Sequence, residues 1–318
     1  MRYWLILLLV GLTTGCSSGR ALSTMSSGQT GRLEIPTLTL AANGDERPAV
    51  VSGDLSLPAG ASAPVPAVIV LHSCAGVTPN LADWARELNR MGFAAFVLDS
   101  FGGRGVSEVC TGRTPVSIGS RLTDTYRALA LLAAHPRLDP RRIAALGFSH
   151  GGWVALWASQ AQFERRFLRA DVEFAAFAAL YPAGCNARLL NETDMAPGPV
   201  RIFQGTADDW TPIGPCRDWV ARRQAAGRAV SLVAYAGAMH AFDVPFFMPA
   251  RRLDDVVNPA ACTVIQQRDG SFVDNDGRPF SGLSACMSRG ATLGYDADAH
   301  RRAIADVKTF LDQSFGRR

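Results

Sequence analysis

From residue 33 onward the chain alternates between short unbroken apolar runs and stretches of helical spacing. Leu33 to Leu40 and Val50 to Leu57 mix apolar and polar positions in turn, the mark of strands with one face in water. Asn43-Gly44-Asp45 between them predicts a turn. Residues 66–72 (Pro-Ala-Val-Ile-Val-Leu-His) and 93–98 are apolar almost without a break, which predicts strands buried on both faces. Leu81, Trp84, Leu88 and Met91 recur at helical spacing and predict a helix over 81–91. A Gly-rich loop covers 102–119, and Ser120 is a candidate N-cap for a helix running to about His135. The alternation then repeats: strand 142–148, helix 151–160, strands 172–181 and 200–203, helix 212–226, strand 230–235, closing helix 299–315. Such alternation predicts an α/β architecture, with a mainly parallel central sheet covered by helices on both faces. No internal repeat and no linker divides residues 32–318, so one domain is expected there.

One segment breaks the rhythm. Asp243 to Leu293 is a long insertion before the last helix, holding Phe246, Phe247, Met248 and two cysteines. Asp269-Gly270 between short β-like runs predicts a small hairpin. Asp274-Asn275-Asp276-Gly277 does not fit the spacing of a calcium-binding EF-hand loop, so no metal is expected. Long loops inside compact domains are usually functional, and a flap beside the active site is the expectation.

The first residues read differently. Arg2 precedes a short apolar run, Tyr3 to Leu12, which Thr13-Thr14-Gly15-Cys16 closes with small residues. That run is short for a membrane span and reads as an export signal over 1–15. Small residues directly before a cysteine resemble a bacterial lipobox, which implies cleavage before Cys16 and its acylation. An ordinary signal peptide cut nearby is the alternative. Residues 16–31, rich in Ser, Gly and Thr, would then tether the domain to a membrane through lipid alone.

Export changes the meaning of the cysteines. Cys74, Cys110, Cys185, Cys216, Cys262 and Cys286 form an even set without any Cys-x-x-Cys pair, which favours disulfides over zinc. About fifteen pairings are possible for six cysteines. Proximity along the expected topology favours Cys185 with Cys216 and Cys262 with Cys286, leaving Cys74 with Cys110. The net charge of +4 is almost all arginine, since Lys308 is the only lysine, and its short scattered clusters point away from nucleic acid.

The chemistry starts at Gly147-Phe148-Ser149-His150-Gly151, a G-x-S-x-G pattern that ends a buried strand and opens a helix. That context is a nucleophile elbow and makes the expected fold an α/β-hydrolase fold. A serine hydroxyl needs a base to take its proton and an acid to orient the base. Asp208 or Asp209 follows one later strand and His240 follows the last, giving the chain order Ser, Asp, His. The oxyanion hole needs two N–H donors. They are expected at His150, after the nucleophile, and at Cys74 in the loop His72-Ser73-Cys74-Ala75-Gly76, with Ser73 as the alternative.

Leu71-His72-Ser73-Cys74-Ala75-Gly76, Asp99-Ser100-Phe101, the elbow with Gly152, Gly205-x-x-Asp208-x-x-x-Pro212 and His240-x-Phe242 together resemble the dienelactone hydrolase family, over roughly 50–242 and the closing helix. The resemblance implies Asp208, four residues before the proline, as the acid. It also implies that the loop after Asp99 helps bind substrate, with Arg104 a candidate grip on a substrate carboxylate. Dienelactone hydrolases proper carry a cysteine nucleophile, are cytoplasmic and lack the insertion with Cys262 and Cys286. These departures bear on the substrate and leave acyl-transfer chemistry intact. The expected activity is hydrolysis of a small ester or lactone without metal or organic cofactor. The rivals are a peptidase of the prolyl-oligopeptidase type, for whose propeller the chain has no room, and a non-catalytic envelope lipoprotein that binds ligands.

Overall fold

A computed structural model describes residues 29–41, 45–62, 64–112, 116–281 and 284–317. The export signal, Cys16, most of the tether and Asn43-Gly44 of the first turn lie outside these residues.

Eight strands form the central sheet: β1 (Gly31–Leu40), β2 (Glu46–Ser56), β3 (Val65–Leu71), β4 (Ala94–Asp99), β5 (Leu138–Phe148), β6 (Ala176–Leu180), β8 (Val200–Gly205) and β9 (Val230–Tyr235). A two-residue strand, β7 (Ala187–Arg188), lies outside this sheet. The spatial order is β1-β2-β4-β3-β5-β6-β8-β9. The first two strands run antiparallel at one edge, and the six from β4 to β9 pair in parallel. This matches the sequence pattern: β1 alternates buried and exposed residues, whereas β3 is buried almost throughout. Helices α1 (Pro79–Arg90), α2 (Ile118–Ala133), α3 (His150–Ala158), α4 (Ala161–Phe167), α5 (Ile213–Ala225) and α6 (Ala297–Ser314) supply the parallel crossovers and cover the sheet. Two apolar clusters result, one centred on Ile69, Phe96 and Leu129, the other on Val70, Trp84 and Phe310.

The start of α2 differs from expectation. Ser117, not Ser120, is the N-cap, its Oγ accepting the Ser120 N–H at 3.1 Å. Ser120 instead uses its hydroxyl to accept the Leu40 N–H. The misplacement has a physical cause: this helix buries Ser120, Arg121, Thr123, Asp124 and Thr125, so hydropathy carries no edge for its first turn.

The insertion is ordered as small sheets. β10 (Arg251–Asn258) pairs with β13 (Ser288–Leu293), and β11 (Val264–Gln266) pairs with β12 (Phe272–Val273) as the hairpin expected around Asp269-Gly270. β11 also adds in parallel to β7. The disulfides join Cys74 to Cys110, Cys185 to Cys216 and Cys262 to Cys286, the three pairings that proximity favoured. Three disulfides fit a protein of a non-cytoplasmic compartment. Among the described residues no helix is long and apolar enough to cross a membrane.

Candidate active site

Chain order reverses direction across the sheet at β3, which has β4 on one side and β5 on the other. Such a switch point opens a crevice at the carboxyl ends of the strands, where ligands bind in open α/β sheets. Leu71 at the end of β3 lies opposite Gly147 near the end of β5, so the loop after β3 meets the turn after β5. Ser149 occupies that turn at φ +53° and ψ −111°, a region that non-glycine residues enter only when held there. The flanking glycines permit it. A β-carbon at Gly147 would stand 2.1 Å from the Gly151 carbonyl oxygen, and one at Gly151 would stand 2.0 Å from that of Leu71.

The ends of β8 and β9 bring Asp208 and His240 to Ser149. His240 Nε2 lies 3.0 Å from Ser149 Oγ, and His240 Nδ1 lies 2.8 Å from Asp208 Oδ2. The Asp208 carboxylate also accepts from the N–H groups of Trp210 and Thr211, the Thr211 hydroxyl and the Gln204 amide, at 2.8–2.9 Å. Burial pushes this carboxyl upward, but His240 and the Thr211 hydrogen bonds outweigh it and hold the group below its ordinary value. The imidazole is fixed by ring contacts to Tyr181 and Trp210, at centroid distances of 4.8 and 4.9 Å. Asp209 takes a different role: its carboxylate accepts the Thr292 N–H and so anchors the insertion. Leu293, at the end of β13, bridges to His240 itself.

Among the described residues no hydrogen bond uses the N–H of Cys74 or of His150. The His150 N–H is the first of α3, where the helix dipole favours negative charge. Behind both donors lies a buried polar network that sequence reasoning missed. Arg121 donates to the His72 carbonyl at 2.7 Å and to His150 Nδ1, and its guanidinium lies over the Phe101 ring. His72 in turn contacts the Ser73 carbonyl through Nδ1 at 2.7 Å and accepts the Ser100 N–H through Nε2. Burial first, and then the Arg121 charge, hold both histidines well below the usual histidine range, so both rings are neutral at pH 7. Burial draws Arg121 itself down to about 9 against the pull of Asp124, and it remains charged. An arginine inside a helix that also carries hydrophobic stretches gives no sequence signal of its own. Only the meeting of α2 with the loops after β3 and β5 exposes its role.

Arg104 does not fulfil the expectation attached to it. Its guanidinium is buried, forks onto both Asp124 carboxylate oxygens at 2.7 and 2.9 Å, and donates to the Ser100 and Leu38 carbonyls. It lines no cavity at Ser149. Every direction of its fork is taken by the protein, leaving no donor for a substrate carboxylate.

Ser149 opens onto a cavity of about 490 Å³ walled by Leu81, Phe148, Val244, Phe247, Leu253 and Leu293, with His240 at its edge. A smaller cavity of about 170 Å³ adjoins Ser149 on the side of His150. Deep beside the larger one, the buried Asp243 carboxylate accepts from Trp84 Nε1, Tyr181 Oη and Asn80 Nδ2.

The model of the dienelactone hydrolase family matches residues 51–315. The chain belongs to the dienelactone hydrolase family. Membership makes it a hydrolase, and the match spans the parallel strands of the sheet, the turn at Ser149 and the insertion. A Bradyrhizobium protein assigned as a 2-oxo-3-(5-oxofuran-2-ylidene)propanoate lactonase is 24% identical over 190 residues, covering 57% of this chain and 75% of that protein. A Klebsiella pneumoniae protein assigned as a dienelactone hydrolase superposes with a TM-score of 0.54 at 18% identity, covering 89% of this chain and 99% of the other. A dienelactone hydrolase-like promiscuous phosphotriesterase from metagenomic libraries gives 0.52 at 18% identity, over 89% and 98%. At such identities the two structures speak to the fold, which is that of the α/β-hydrolases.

Proposed function

We propose that this member of the family hydrolyses carboxylic esters or lactones by nucleophilic catalysis at Ser149. The observation that carries the reading is the hydrogen-bonded chain from Ser149 through His240 to the buried Asp208, set at the mouth of an apolar cavity. His240 Nε2 takes the hydroxyl proton as Oγ attacks the ester carbonyl, while Asp208 holds the Nδ1–H and stabilises the imidazolium. The N–H groups of His150 and Cys74 receive the oxyanion. The imidazolium gives its proton to the leaving alkoxide, leaving an acyl group on Ser149. Water, deprotonated by His240, then attacks this acyl-enzyme and releases the acid.

A propanoate substrate, as in the name of the Bradyrhizobium relative, would bring a carboxylate. Neither cavity has an arginine or lysine among its described lining residues. Neutral esters suit this site better. The three disulfides and the apolar run before Cys16 support export, with Cys16 as the lipid-bearing residue of a cell-envelope lipoprotein.

The test is labelling by a fluorophosphonate probe together with turnover of short p-nitrophenyl esters. Wild type should label, and Ser149→Ala should lose both the label and roughly 10⁴-fold or more of the activity. A folded, oxidised wild type that takes no label would return the protein to the class of non-catalytic binding lipoproteins.

A further inference from the structure

The two cavities at Ser149 have different neighbours. Cys74, Cys110, Ser149 and Trp210 border both, so the Cys74–Cys110 disulfide and the Trp210 indole stand between them. His240 and Phe148 border only the larger cavity, whereas His150 borders only the smaller. This asymmetry fixes a direction for the substrate, given the serine-hydrolase reading above. The leaving oxygen must lie against His240 Nε2, since that nitrogen hands it a proton. Whatever is attached to that oxygen therefore extends into the cavity that His240 borders. The acyl carbon, bonded to Ser149 with its oxyanion on the His150 N–H, sends its chain the other way.

We propose that the alcohol portion of the ester occupies the cavity of about 490 Å³ and the acyl portion the cavity of about 170 Å³. The preferred substrates are then short-chain acyl esters of large, neutral, apolar alcohols. An apolar cavity of roughly 150 Å³ accommodates benzene, so the acyl side holds a group of about that size. Its walls include Val109, Trp153, Val257, Phe280 and Met287, all apolar. Trp153 cannot swing aside easily, because its ring meets His150 and Trp157 edge-on at 5.7 and 5.3 Å and packs over Gly184. The acyl side is therefore the tighter of the two. The alcohol side is larger and reaches Phe246 and Phe247, at the exposed edge of the insertion, so it tolerates length.

A pair of isomeric esters isolates this claim from general hydrophobicity. Octyl butanoate and butyl octanoate share one formula and differ only in which side carries the long chain. Wild type should favour octyl butanoate by about tenfold or more in kcat/KM, since methylenes beyond a pocket's capacity each cost heavily. Met287→Ala, which lengthens the acyl cavity, should raise turnover of butyl octanoate relative to octyl butanoate and bring the ratio toward one. Equal or reversed preference in a wild type that labels with the fluorophosphonate overturns the inference and leaves the proposed function standing. A wild type that neither labels nor cleaves either isomer overturns both.

Discussion

The two walls around Ser149 are built on opposite physical plans. Behind Ser149, polar groups are buried and paired: Arg121, His72 and Asp208 are each at most a few per cent exposed, His150 is partly buried, and each has partners within the protein. In front, the insertion offers apolar surface that stays partly wet, with Phe246 66% and Met248 71% exposed. In the proposed reaction the rear wall fixes where charge develops, so small errors there act on the transition state. The front wall meets parts of a substrate that do not react, so changes there act on binding and selectivity. A buried polar network is costly when one member is lost, whereas an exposed aromatic side chain loses little by truncation.

Four substitutions or titrations would break or sharpen this contrast. Asp208→Asn should keep the geometry and lower kcat by about 10⁴-fold, as loss of the orienting carboxylate does in other triads. Asp209→Asn, one residue away but bonded to Thr292 of the insertion, should cost far less. Comparable losses in the two kinetic assays would erase the distinction between rear and front.

Arg121→Met should come next in size. It strips the His72 carbonyl and His150 Nδ1 of their common donor and so loosens both loops that carry the proposed oxyanion N–H groups. A fall in kcat of roughly 10²-fold is expected, the scale of losing one oxyanion donor, with KM little changed. Partial recovery in Arg121→Lys and an unchanged KM are the signs of positioning rather than of general damage.

The third effect is on stability. His72 and His150 are held neutral in the folded state, below their unfolded value of 6.5. The unfolded chain therefore binds more protons as pH falls below 6.5. Stability is present above that pH and should decline below it, by up to about 1.4 kcal/mol per pH unit for each histidine. Urea midpoints measured from pH 7 to pH 5 would show the decline, and His150→Gln should flatten it. The smallest effect belongs to the front wall. Phe246→Ser, at a largely exposed ring that meets Arg251 and Phe247, should change KM for a large ester by roughly threefold or less and leave kcat alone.

Residues that follow buried strands were the most legible from sequence. The run 66–72 and the turn at Ser149 announce themselves because a strand end buried on both faces has no polar positions to blur it. Two disulfide pairings, Cys74–Cys110 and Cys185–Cys216, were legible because parallel crossovers return the chain to one end of the sheet, and Cys262 and Cys286 share the insertion. Arg104 was read wrongly. A guanidinium in a Gly-rich loop beside a presumed pocket has the same signature whether it faces solvent, substrate or a buried carboxylate. Its partner Asp124 comes from α2, and nothing local joins the two positions.

By itself, then, the sequence determined the order of elements, the place of Ser149 on the turn between β5 and α3, and that of His240 after β9, because these rest on local spacing and strand ends. The tertiary structure decided what depends on which distant surfaces meet. It set Asp208 beside His240 and gave Asp209 to the insertion. It consumed Arg104 in an ion pair, placed Arg121 against the loops that carry Cys74 and His150, and divided the space around Ser149 into a large cavity and a small one. Such outcomes are fixed by packing between elements far apart in the chain, and no local pattern encodes the size of the space they leave.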